Sequence, residues 1–209
     1  MKNNTVLNDD HRQLLEPTIK EMFHLVPDMM HRKVARANVQ QAFAFKYITD
    51  NFDKSSEMIC AGSYEDTCCA ALLKLGYKVV EVDPVKNYDL HNYCLCNKNA
   101  RFDVVFSVSV IEHVFNDNEF VDDMCKLLKP GGTCVFTCDF NNKYKPGDAL
   151  PSTDHRFYTQ HDLLVRFKQI LDNNNCYIEG DVDYSEAPDF VYENILYTFA
   201  TFIFKKKNL

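Results

Sequence analysis

From residue 57 onward, short apolar runs alternate with amphipathic stretches. "MICA" (58–61), "KVVEVD" (78–83), "FDVVFSVSV" (102–110) and "TCVFTCDF" (133–140) are of strand length and largely apolar. Between them, "EDTCCAALLKLG" and "DNEFVDDMCKLL" place apolar residues three and four apart, which predicts helices. Gly76 stops the first and Pro130-Gly131-Gly132 follows the second. "HDLLVRFKQIL" predicts another helix and "CYIEGDVDY" a strand, and "ILYTFATFIFKKK" predicts a closing strand with a solvated Lys tail. The stretch 85–102 has no clear period; within it "YCLC" predicts a short edge strand.

The first fifty residues read as helix. Leu14, Leu15, Ile19, Met22, Phe23 and Val26 share one face, with Pro17 in a first turn or kink and Pro27 ending the segment. A second helix is predicted through "HRKVARANVQQAFAFKYITDNF", with Val34, Ala35, Ala42, Phe43 and Ile48 inward. Strands alternating with helices predict an α/β fold, a mostly parallel sheet covered on both faces with right-handed crossovers. Ligands of such sheets bind outside the carboxyl ends of the strands. The loops after residues 61, 83, 108 and 139 therefore share one rim.

Four rim segments carry candidate chemistry. Gly62 lets a backbone approach closely, and the helix start behind it offers free N–H groups; Glu65, Asp66 and Thr67 also suit simple helix capping. Asp83 ends the second strand 21 residues beyond Gly62, close to the ~20 expected of a ribose-binding carboxylate. Glu81 shares its strand face and is the reserve candidate. A solvated strand-end aspartate is the plainer alternative. In "FSVSVIEHV", Ser107, Ser109, Glu112 and His113 are polar at the end of a buried strand, and His113 is either a general base or a structural cap. Asp139, Asp154, His155, Arg156 and Tyr158 crowd the two ends of a polar loop that suits a substrate segment or a surface excursion.

At 209 residues the chain supports one domain with a sizeable core. A formal charge of −7 and a pI near 5.5 disfavour a nucleic-acid-coating surface. No apolar run approaches the ~18 residues of a membrane helix, and the polar first ten residues do not form a signal peptide. A cytoplasmic protein without membrane or nucleic-acid partners is expected. Nine cysteines with no C-x-x-C pair predict reduced, mostly buried thiols and no metal site.

In order, these segments resemble a class I S-adenosylmethionine-dependent methyltransferase. "EMICAGSYEDT" sits where the family's glycine-rich motif belongs, "VVEVDP" matches its acid-ended second strand, and "FDVVFSVSVIEHV" its fourth strand. "LLKPGGTCVFTCDF" resembles the fifth strand with its lead, and "HRFYTQHDLLVRF" the approach to the next helix. The likeness covers about residues 55–205. It implies a Rossmann-like, seven-stranded sheet with a C-terminal antiparallel hairpin, preceded by N-terminal helices as an extension or lid (1–54). It implies S-adenosyl-L-methionine as cofactor, held by Gly62, Ser63, Tyr64, Glu65, Asp66 and Asp83, with Ser107, Val108 and Ser109 on the methyl side. His113 or His155 would serve as base, with Asp139 orienting a small-molecule hydroxyl acceptor, sugar-like in the reading that the polar loop suggests.

The sequence departs from the family pattern in three places. Cys60 stands where an acid usually precedes the first glycine, so Glu65 or Asp66 would have to supply that charge. Tyr64 and Asp66 replace the later glycines. Ser109 stands where metal-using relatives carry a second Glu, so no Mg2+ site is expected. Two alternatives stay open: a non-catalytic methyltransferase-like module that binds a protein partner, and a nicotinamide or nucleotide-sugar enzyme, which "GSYEDT" fits poorly. Residues 1–54 could close over the acceptor or build a homodimer contact.

Overall fold

In the computed structural model, which describes residues 2–99 and 101–208, the chain opens on a strand where helix was expected. Asn4–Leu7 (β1) is wholly buried and pairs antiparallel with the last strand, Val6 opposite Ala200 and Leu7 opposite Phe199. Its polar residues hide it in the sequence but are satisfied in the sheet. Asn4 donates to the Glu179 carbonyl at 2.7 Å and accepts from the Ile203 N–H at 2.6 Å. Three short helices follow: Asp9–Leu14 (α1), Glu16–Leu25 (α2, with Pro17 in its first turn) and Pro27–Met30 (α3). The second predicted helix starts late. Val34 is exposed, Ala35–Ala37 form a single 3₁₀ turn, and the α-helix runs only over Asn38–Asn51 (α4).

The alternating part follows as Glu57–Ala61 (β2), Thr67–Lys74 (α5), Lys78–Val82 (β3), Leu90–Cys96 (α6), Phe102–Val108 (β4), Asp117–Leu127 (α7) and Leu128–Phe140 (β5). A π-helical turn at Asp162–Arg166 leads into Phe167–Asn173 (α8). The chain ends through Cys176–Ile178 (β6), Val182–Asp183 (β7), Phe190–Tyr192 (β8) and Ile195–Lys206 (β9). The sheet order is β3-β2-β4-β5-β9-β1-β7, with β6 and β8 also pairing on β9. The core strands β3, β2, β4 and β5 are mutually parallel, and β9 runs antiparallel to β5. This is the expected Rossmann-like sheet with its closing antiparallel pair.

Two expectations are corrected. "YCLC" is not an edge strand: Asp89 accepts the Asn92 N–H at 2.8 Å and caps α6, so the sheet ends at β3. The strand count is nine among the described residues, not seven. β1 joins from the N-terminus, β8 pairs on β9, and Gly180 at φ +81° separates β6 from β7.

Period-two alternation divides the core between the two faces. Val104, Phe106 and Val108 of β4 face Phe43, Met22 and Leu72 from α4, α2 and α5. Val105, together with Phe136 and Phe202, faces Val121 of α7 and Phe167 and Leu171 of α8. Each fully buried Phe or Leu stabilises by ~1.5–3 kcal/mol. The faces thus fix the sheet and leave the carboxyl ends of β2, β3 and β4 aligned.

Candidate active site

The turn after β2 is shaped by Gly62. Its φ of +87° lies in the left-handed region, and an added Cβ would stand 2.4 Å from Val110 Cγ2. The close approach that glycine permits here is to the Val110 side chain. The N–H groups of Gly62 and Ser63 donate to the Val82 carbonyl at 2.8 and 3.2 Å, which holds the turn over the end of β3. Asp66 then caps α5, its Oδ1 accepting the Cys69 N–H at 2.6 Å, while Gln41 from α4 accepts the Cys68 N–H at 2.8 Å. Asp83 ties the two loops together: Oδ2 accepts the Tyr64 N–H at 3.0 Å and Oδ1 the Val85 N–H at 2.8 Å. The reserve candidate, Glu81, pairs with Lys86 instead.

The third wall begins at Ser109, whose φ of +56° is strained for a residue with a side chain. Its hydroxyl donates to Glu112 Oε1 at 2.8 Å, and its N–H reaches the Thr137 hydroxyl at 3.2 Å. Ile111–His113 form a 3₁₀ turn. His113 Nδ1 lies 3.1 Å from the Thr153 carbonyl and 3.3 Å from Asp154 Oδ1. The hydrogen bond to Asp154 outweighs partial burial and raises the imidazole to about 9, with Glu112 adding to the effect. Burial pushes the carboxyls of Glu112 and Asp139 upward. For Asp139 the neighbouring Glu112 and Asp154 reinforce this, so it stays neutral well above the ordinary aspartate range.

These walls enclose a cavity of about 720 Å³, a size that takes a nucleoside-containing ligand. Gly62, Tyr64, Glu65, Asp66 and Asp83 line one side. Val108, Ser109 and His113 line another. Four of the expected residues lie outside it. Ser63 and Ser107 are buried with hydroxyls that lack partners. Asp139 is enclosed beside Glu112 and Asp154. His155 stacks on Phe115 at 3.9 Å, so Phe115 lines the cavity and His155 backs it. Sequence reasoning missed Lys33 and Gln41, which reach the cavity from the N-terminal segment, and Leu90 and His91, which reach it from α6. Gln41 carried one usable signal, a polar residue inside an apolar helical stretch.

The segment "HRFYT" fastens the polar loop. Tyr158 is fully buried, with its hydroxyl 3.0 Å from the Ile111 carbonyl and 3.1 Å from Asp117 Oδ2. Arg156 and Arg166 both pair with Asp117 at 2.9 Å. This network holds the loop's C-terminal end against the turn that carries His113. The nine cysteines are free thiols, seven of them buried. Among the described residues no group of three or more His, Cys, Asp or Glu side chains could hold a metal ion, and no helix is long and apolar enough to cross a membrane.

Comparison with known proteins shows the family and the fold. Residues 30–175 match the family described as a methyltransferase domain. The chain is 25% identical to the ubiquinone biosynthesis O-methyltransferase of Maricaulis maris, over 78% of this chain and 80% of that protein. It is 31% identical to the mitochondrial ubiquinone biosynthesis O-methyltransferase of Dictyostelium discoideum, over 43% of this chain and only 30% of that enzyme. Among solved structures, TehB from Haemophilus influenzae aligns with a TM-score of 0.56 at 17% identity, over 80% of this chain and 61% of that one. The Burkholderia thailandensis 1,6-didemethyltoxoflavin-N1-methyltransferase, solved with 1,6-didemethyltoxoflavin and S-adenosylhomocysteine bound, aligns with 0.55 at 15% identity, over 95% and 90%. At such identities these two structures speak for the fold.

Proposed function

The chain belongs to the methyltransferase-domain family, and we propose that it uses S-adenosylmethionine to methylate a hydroxyl of a small-molecule acceptor. The carrying observation is the cavity at the carboxyl ends of β2, β3 and β4, in which the Gly62 turn, Asp83 and His113 share one space. The cofactor, when bound, supplies an electrophilic methyl group on a positively charged sulfur.

The residues present fit that cofactor. Both Asp83 oxygens are fixed by backbone N–H groups yet keep spare lone pairs for ribose hydroxyls. Asp66 offers a buried oxygen, Oδ2, that has no partner within the protein. His113 is the residue we assign to the acceptor's proton. Its Nδ1–H is engaged by Thr153 and Asp154, which leaves Nε2 for a hydroxyl in the cavity. Ser109 and Val108 form the wall beside it. The names of the relatives, both O-methyltransferases, support an oxygen acceptor. None of residues 139–158 lines the cavity, so the polar loop lends no support to the sugar-like acceptor expected from the sequence. Residues 1–54 act in this reading as an extension of the 55–209 domain, covering one sheet face and bringing Lys33 and Gln41 to the cavity.

Calorimetric titration with S-adenosylmethionine and S-adenosylhomocysteine tests the cofactor site, followed by an acceptor screen. Micromolar binding that weakens at least tenfold in Asp83→Ala is expected. Absence of binding by either ligand at millimolar concentration would overturn the reading and favour a non-catalytic module.

A further inference from the structure

Strand β2 carries Cys60 where the family pattern has an acid, and two carboxylates follow it in the turn after the strand, Glu65 and Asp66. Cys60 is fully buried, and burial pushes its thiol well above the ordinary range, so it remains neutral. It cannot supply negative charge to a ligand. Of the two carboxylates in the turn, Glu65 is largely exposed and pairs with Arg32 at 3.3 Å. Asp66 lines the same cavity as Glu65 but differs in burial and in pairing. It is 2% exposed, lines the cavity, and spends only Oδ1 on the cap of α5. Its Oδ2 is buried without a hydrogen-bond partner.

A buried carboxylate oxygen left unpaired in a cavity wall is costly unless a cationic group meets it. Lys33 lines the same cavity and makes no ion pair among the described residues. The wall beside the Gly62 turn thus offers one negative and one positive group, near enough for Lys33 to favour the charged form of Asp66 but without a direct ion pair between them. The cofactor ends in an α-amino acid that carries one ammonium and one carboxylate. Resting on the methyltransferase reading above, we propose that Asp66 receives the ammonium and Lys33 the carboxylate of the cofactor's amino-acid end, so that Asp66 takes over the role vacated at Cys60.

The assignment moves the charged contact from the end of β2 to the first turn of α5. It also makes the N-terminal segment, through Lys33, part of the cofactor site. Gln41 reinforces the arrangement, since it accepts from the Cys68 N–H and lies against Asp66 in the same wall. Discrimination between ligands follows directly. S-adenosylhomocysteine carries the amino-acid end and 5′-methylthioadenosine lacks it, so only the first should sense these two side chains.

The experiment is calorimetric titration of the wild-type protein, Asp66→Asn and Lys33→Met with both ligands. Asn retains the cap on α5 because its side-chain oxygen still accepts from Cys69 N–H. Circular dichroism melting of each variant checks that the fold is kept. The expected result is a tenfold or greater loss of S-adenosylhomocysteine affinity in each variant, with 5′-methylthioadenosine affinity within twofold of wild type. Unchanged S-adenosylhomocysteine binding in Asp66→Asn would overturn the assignment while leaving the methyltransferase reading intact. Equal losses for both ligands would overturn it as well, since the damage would then reach the whole site. If wild-type protein binds neither ligand, the methyltransferase reading and this assignment fall together.

Discussion

His113 Nδ1 stands 3.3 Å from Asp154 Oδ1, in the same cavity wall as the strained Ser109. That contact holds the imidazole charged up to about pH 9. A histidine base acts only in its neutral form, so turnover on a hydroxyl acceptor should rise with pH, about tenfold per unit, and level near pH 9. Asp154→Asn removes the main raising partner and should shift the inflection down toward the ordinary histidine range of about 6.5. His113→Ala should lower turnover more than tenfold. A pH–rate series on the three proteins checks this. A flat profile in the wild type would remove His113 as the base.

Asp66 carries a cost in the free protein. Burial raises its carboxyl from 3.8 to about 6, against the Cys69 N–H, Lys33 and Gln41, which favour its charge; the nearby thiols of Cys60 and Cys68 are neutral. A folded-state value above the unfolded one means that stability declines as pH rises from about 4 to about 6 and stays reduced above that. The gap corresponds to roughly 3 kcal/mol at most. Asp66→Asn should therefore raise the melting temperature of the ligand-free protein at pH 7.5, with the gain shrinking toward pH 4. A variant that is more stable and yet binds the cofactor more weakly would show that charge at this site is kept for binding.

Gly62→Ala should destabilise by about 1–3 kcal/mol, because it combines a left-handed φ with a collision against Val110. Val110→Ala relieves the collision and leaves the backbone strain. In urea unfolding the Gly62→Ala cost should thus be smaller in the Val110→Ala background. Additive costs would mean that the backbone conformation alone demands glycine.

Asp117 is almost wholly buried between two arginines and a tyrosine hydroxyl. Asp117→Ala strands those donors and should cost about 3–5 kcal/mol. Tyr158→Phe removes one hydroxyl and should cost about 1 kcal/mol. Limited proteolysis of Asp117→Ala should cut within 141–157 sooner than in wild type, since the loop loses its anchor at Arg156.

The order of strands and helices from residue 57, the parallel sheet and the rim bearing Gly62, Asp83 and His113 were legible in the sequence. Continuous apolar runs such as Phe102–Val108 can be buried only between two covering layers, whatever the rest of the chain does. Other features depended on partners far along the chain. Asn4 and Thr5 look like a polar terminus until Glu179, Thr201 and Ile203 satisfy them, so β1 has no local signature. "YCLC" alternates like a strand, but the Asp89 cap and the burial of Leu90 turn it into helix. Asp66 and Glu65 are adjacent acids, indistinguishable by type. Only the packing of α4 and the 31–34 segment buries one beside a cavity and leaves the other paired with Arg32 in solvent. Sequence periodicity fixes which faces must be buried, because that depends on residues a few positions apart. Which polar atom is left unpaired, and where, is decided by contacts across the whole chain, so only the tertiary structure could assign the charges of this site.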